Sequence, residues 1–211
     1  MADKPARGLA DVIAASTAVS DIDGRAGLLF YRGYDIRQLA GAATFEEIAY
    51  LLQRGHAPSA EELDAYRAEV AAGRVAGKLV TACLPDVAAS QAPMEALRTL
   101  VSLASADDPD KNSNSPEANK SKAVRLTAQQ PFLVAAYHAA RSGRELPQPG
   151  EGLGLAASFL LQMRGTPPTG HEAEVLDTCL VGGVPRICSR KLAASPRPSP
   201  GGGSSRPLRA A

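Results

Sequence analysis

From residue 44 to residue 181 the apolar positions of the chain recur at three- and four-residue spacing, which puts them on single faces of successive helices. Thr44-Phe45-Glu46-Glu47 is a capping box that starts the first of these, with Ile48, Leu51 and Leu52 as its stripe and Gly55 as its C-terminal stop. Ser59-Ala60-Glu61-Glu62 is a second box and predicts a helix to about Ala72, with Leu63, Tyr66 and Val70 on one face. "GRVAGKLVTACLP" predicts a short helix stopped by Pro85. Pro93 opens another, on which Met94, Leu97, Leu100, Val101 and Ala104 share a face. After the polar loop "ADDPDKNSNS", Ser115 and Pro116 start the longest run, to about Ser142, with a kink expected at Pro131 and a stop at Gly143. "LGLAASFLLQMRG" predicts a buried helix ended by Gly165, and a last helix begins after Pro168 and carries "LDTCLV". Before all of these, "DVIAASTAVSDIDGRAGLLFYRG" alternates and turns at Asp23-Gly24, where glycine supplies positive φ without penalty. This hairpin is the only β structure expected, and the class is all-α.

The pattern fails at residue 182. Residues 182–211 hold Pro185, Pro196, Pro198, Pro200 and Pro207 and the run Gly201-Gly202-Gly203, with too few apolar side chains to offset the entropy of ordering them. The division expected is a helical body over 1–181 and a disordered basic tail over 182–211. Charge divides at the same place. Six of the 23 Lys and Arg residues fall in the tail, which has no acid, so the near-neutral total of +1 conceals a body with five more acids than bases. An acidic body argues against nucleic-acid binding. The apolar runs fall short of the ~20 residues that a membrane span needs. The start "MADKPARGLADVIAAS" has no continuous apolar core of a secretory signal, and three scattered cysteines make no disulfide framework, so a cytoplasmic protein is expected.

Local motifs supply little chemistry. Gly152-Leu153-Gly154-Leu155-Ala156-Ala157 fits GxGxxA, but a dinucleotide fingerprint needs a preceding strand, and a Pro/Gly loop stands there; close helix packing explains the glycines better. His56, His138 and His171 have no ligand-like neighbour at i+3 or i+4, and no CxxC or CxxH pair suggests zinc, so no metal or cofactor is expected. Glu46-Glu47, Glu61-Glu62 and Asp107-Asp108 lie at helix starts or in loops, where the helix dipole or solvent accounts for them.

Taken in order, "IDGRAGLLFYRGYDIRQLA", "TFEEIAYLLQRGHAPSAEEL", "PMEALRTLVSL", "NSPEANKSKAVRLTAQQPFLVAAYH" and "LDTCLV" resemble the citrate synthase family, including 2-methylcitrate synthases, over about residues 7–181. The resemblance implies a multi-helical, largely α enzyme with a large and a small domain, of which this chain is the N-terminal, large-domain portion, and a homodimer at full length. It implies condensation of acetyl-CoA, or propionyl-CoA, with oxaloacetate followed by thioester hydrolysis; acetyl-CoA is then a substrate and no cofactor is implied. An aspartate takes a proton from the acyl carbon, one histidine stabilises the enol and another polarises the oxaloacetate carbonyl. None of these three can be assigned here. Where the family pattern continues into HADHGxNAS, the chain reads GGVPRICSR, and no GPLHGGAN-like segment follows. The resemblance connects one matched residue, Arg32 of RGYDI, with the ligand cleft near the CoA phosphate; a salt bridge holding the hairpin explains it equally well. The expectation is a chain truncated before its catalytic segments, read out of frame from about residue 182 and inactive alone. The competing expectation is a non-catalytic helical module that binds a partner subunit or an anion.

Overall fold

The computed structural model of this protein describes residues 17–145 and 147–182. Its elements in chain order are β1 (Ser20–Asp23), β2 (Leu28–Tyr31), β3 (Tyr34–Asp35), α1 (Ile36–Leu39), α2 (Phe45–Arg54), α3 (Ala60–Ala72), α4 (Lys78–Ser90), α5 (Pro93–Ala106), α6 (Pro116–Arg141), α7 (Leu155–Arg164) and α8 (Gly170–Gly182). The class is the helical one expected, with a small sheet at its beginning. The expected disordered tail, apart from Gly182, which closes α8, lies outside the described residues.

The β structure exceeds the single hairpin expected. β1 and β2 pair antiparallel, with Ser20 opposite Tyr31 and Asp23 opposite Leu28. The Asp23 carboxylate closes the turn by accepting from the backbone N–H groups of Arg25 and Ala26, and positive φ falls at Gly27 rather than at Gly24. β3 then pairs with β2, Tyr31 opposite Tyr34, across a two-residue turn in which Arg32 (φ 50°) and Gly33 (φ 88°) both take left-handed conformations. That is the geometry a tight hairpin of matching twist requires. Asp35 closes this segment by accepting from Arg37 and capping α1.

The helix boundaries follow their capping chemistry. Thr44 and Ser59 each accept from the backbone of the glutamate three residues on, and each glutamate reaches back. Gly55 and Gly165 end α2 and α7 at φ 92° and 79°. Ser115 caps α6 with Pro116 at its first position. Pro85 does not stop its helix: α4 begins later than expected, at Lys78, and runs through Pro85 to Ser90. Leu84, Val87 and Ala88 are buried there while Pro85 faces solvent, so packing holds the helix and water can hydrate the carbonyl that proline leaves unbonded. α6 likewise passes through Pro131 as one helix. Met94 departs from the stripe assigned to it and is 76% exposed, while Ala96, Leu100 and Ala104 turn inward.

Three apolar clusters hold the body together. α4, α5 and the second half of α6 meet through Val80, Leu84, Leu100, Phe132 and Leu133. α2, α3, the first half of α6 and the start of α7 meet through Tyr50, Tyr66, Val70, Val124 and Leu155. α1, α2 and the end of α8 meet through Ile36, Leu39, Ile48, Leu51 and Val181. α6, running through the first two clusters, is the common spine. Gly73 lets α3 approach it: a Cβ at that position would stand 2.9 Å from the Ala128 Cβ.

Candidate functional site

The charged side chains that the fold brings together line a cleft of about 920 Å³ between the start of α2, the exposed face of α3, the start of α7 and α8. Its distinguishing residues are Glu46, Arg67, Arg74, Asp177 and the segment Gly152-Leu153-Gly154.

The cleft is organised by carboxylates that cap helices other than their own. The N-cap of α7 is Gly154, which has no side chain to cap the helix. Glu46 of α2 fills that role, its Oε1 accepting from the Leu155 N–H at 2.6 Å across 109 residues of sequence. The glycine eases the approach, since a Cβ at position 154 would lie 3.3 Å from the same oxygen and press it back by a few tenths of an ångström. This sharpens the reading of GxGxxA as a packing motif: the helix start serves an internal carboxylate, and among the described residues the element just before it is the helix α6. α2 is capped in turn by α8, where Asp177 Oδ1 and Oδ2 accept from the Phe45 N–H at 3.1 and 3.0 Å. α4 follows the same rule outside the cleft. Its N-cap is Gly77, and Asp107 at the end of α5 accepts from the Leu79 N–H at 3.2 Å while occupying the space a Cβ would need. Helix N-termini leave N–H groups unpaired and favour negative charge, so each placement satisfies a donor and a dipole together.

Burial sets the charge states. Glu46 and Glu47 are 3% and 6% exposed, so solvent does not account for them; Glu47 reaches back to the Thr44 N–H, as the capping box requires, and Glu46 serves α7. Asp177 is half-buried beside both, and its carboxyl is pushed up to about 6, chiefly by burial and then by those two neighbours, against the opposing pull of the Phe45 N–H. Arg74 is 5% exposed and donates Nη1 to the Leu153 carbonyl at 2.8 Å. Burial lowers its pKa, and the charge of Glu46 works in the opposite direction.

The sequence-stated candidates lie elsewhere. Arg32 does not line this cleft; its Nη1 and Nη2 donate to the carbonyls of Ala18 and Leu52 at 3.2 and 3.0 Å, tying the sheet to the end of α2. No acid faces it among the described residues, so the salt bridge weighed for it is replaced by bonds to backbone carbonyls. His56 stands between Tyr50 Oη (3.3 Å) and Glu62 Oε1 (3.2 Å). Glu62 is held down at about 2, first by the Ser59 N–H and then by His56. His138 and His171 are exposed on α6 and α8. Among the described residues no group of His, Cys, Asp and Glu could hold a metal ion, and no helix is long and apolar enough to cross a membrane. Sequence reading missed Asp177 and Arg74 because their partners are remote; the one local signal was a glycine at a helix start that lacked a capping side chain.

The model of the citrate synthase family described as "Citrate synthase, C-terminal domain" matches residues 8–182. Citrate synthase of Haloferax volcanii is 43% identical over 179 residues, covering 83% of this chain and 47% of that protein. 2-Methylcitrate synthase of Mycobacterium tuberculosis is 35% identical over 162 residues, covering 77% of this chain and 41% of that protein. Among solved structures, citrate synthase from Pyrobaculum aerophilum superposes with a TM-score of 0.78 at 33% identity, over 82% of this chain and 46% of that one. The citrate synthase of Thermoplasma acidophilum, solved as a ternary complex with carboxymethyl coenzyme A and oxaloacetate, gives 0.72 at 25% identity, over 81% of this chain and 45% of that one. The chain spans less than half the length of the relatives it matches.

Proposed function

The chain belongs to the citrate synthase family, and on that premise we propose that it forms a scaffold portion of an acyltransferase that condenses an acyl-CoA with oxaloacetate. The observation that carries this reading is the alignment of residues 8–182 with the family model, end to end with the described helices. In such a reaction the acyl carbon next to the thioester loses a proton, the resulting enol attacks the oxaloacetate carbonyl, and water then releases CoA. The described residues supply packing and helix capping for that chemistry. The sequence after Val181, GGVPRICSR, lacks the histidine-bearing HADHGxNAS pattern that the resemblance calls for, so this chain alone does not turn over. Arg32 contacts the CoA phosphate when an acyl-CoA is bound, and the working form is a homodimer in the cytoplasm.

The test has two arms. The purified chain is mixed with acetyl-CoA and oxaloacetate and free thiol is followed; release at background rate is expected, and an enzymatic rate overturns the claim of inactivity. In the second arm, residues 183–211 are replaced by the corresponding remainder of the Haloferax volcanii enzyme. CoA release that requires both substrates supports the scaffold reading, and a folded but inactive chimera counts against it. Propionyl-CoA is the second substrate to try, because a 2-methylcitrate synthase stands among the relatives.

A further inference from the structure

We propose that Asp177 is a proton-operated latch that seats α8 on the first turn of α2, firm when the carboxyl is protonated and looser when it is ionised. The geometry places three carboxyl groups at one helix end. Glu47 is committed to the Thr44 N–H, Glu46 to the Leu155 N–H of α7, and Asp177 to the Phe45 N–H. One helix terminus stabilises negative charge within its first turn, but like charges packed together and withdrawn from water cannot all ionise at low cost. Glu46 and Glu47 are almost wholly buried and each already has a backbone donor, whereas Asp177 is half-buried at the cleft wall, where a proton can reach it.

The groups facing Asp177 come from every element around it. α2 contributes Glu46 and Glu47 and the Phe45 N–H, α3 contributes Arg67, the segment after α3 contributes the buried Arg74, and α8 itself contributes Glu174. α7 contributes only its backbone start and small side chains to the cleft. Arg67 favours ionisation, but its side chain is 44% exposed and also lies 3.6 Å from Asp64. Burial and the two glutamates prevail, so the folded carboxyl holds its proton to about pH 6. The folded value lies above the ordinary 3.8, so the linked stability is fully present below that ordinary value and is lost as pH rises toward about 6. Ionised Asp177 also repels Glu46, so the loosening extends to the start of α7.

The test is an amide NMR titration of the full 211-residue chain between about pH 4 and about pH 8, with hydrogen-exchange protection of α8 corrected for intrinsic rates. The Phe45 amide is expected to shift with a midpoint near 6, the Leu155 amide to follow it, and protection of α8 to fall about tenfold across the transition. Asp177→Asn keeps an oxygen acceptor without charge, so its protection should match that of the wild type at low pH and lose the transition. A Phe45 midpoint at or below about 4 overturns the proposal, as does an Asp177→Asn variant with the wild-type pH profile. If that variant does not fold, the wild-type titration alone decides.

Discussion

Single residues in this fold are constrained by partners far away in sequence, and substitutions should reveal it. A Cβ at Gly77 would stand 2.1 Å from Asp107 Oδ2, so Gly77→Ala must expel the carboxylate that caps α4. We expect a loss of about 1–3 kcal/mol in thermal or urea unfolding, and a smaller loss when Asp107→Ala is already present, because the carboxylate clash is then gone and only the Cβ approach of 2.9 Å remains. Arg32 offers a second case. Its guanidinium bonds two backbone carbonyls, so Arg32→Ala should cost about 1–2 kcal/mol in unfolding without any ligand present. An unchanged unfolding midpoint would remove its structural role and leave only a ligand contact. Glu62 and Glu172, both lowered to about 2 by backbone donors, add an acid limb of the opposite sign to that of Asp177. Their contribution is present above the ordinary 4.5 and is lost as pH falls toward about 2, and Glu62→Gln should flatten that limb in acid unfolding.

At the scale of elements, what was legible in the sequence was what is local. The boxes Thr44…Glu47 and Ser59…Glu62, the Ser115-Pro116 start and the stops at Gly55 and Gly165 each depend on neighbours within four residues, and all stand where the residues indicate. β3 was invisible because two residues cannot display alternation, and because the first of the two left-handed positions in its turn is an arginine, not a glycine or asparagine. Pro85 misled because a local rule was overridden by tertiary packing of Leu84 and Val87. The candidate site was the least legible part, since Asp177 and Glu46 work across 132 and 109 residues and helical periodicity holds no such information. α4 provides a prediction at this scale. Pro85→Ala restores a helix donor at an exposed position and should stabilise the chain by about 1–2 kcal/mol, the gain in helix propensity being partly offset by a freer unfolded chain. Chemical denaturation measures it, and destabilisation would mean that the proline ring is needed for packing.

For the molecule as a whole, the body is tied at its two described ends. Val181 is buried with α1 and α2, and Asp177 caps the first long helix from the last. Apolar side chains nevertheless remain in solvent, among them Ile22 (70%), Met94 (76%) and Val175 (50%). The isolated chain should therefore bind a hydrophobic dye and self-associate with rising concentration, and a dye-silent monomer in sedimentation would contradict this. Tethering α2 to α8 also has a kinetic side. Contacts that close long stretches of chain must overcome loop entropy before they give anything back, which slows folding. During synthesis α2 leaves the ribosome with its local capping box but with the Phe45 N–H unpaired, and the carboxylate that completes it is made 132 residues later. The first long helix to emerge is thus among the last to be finished.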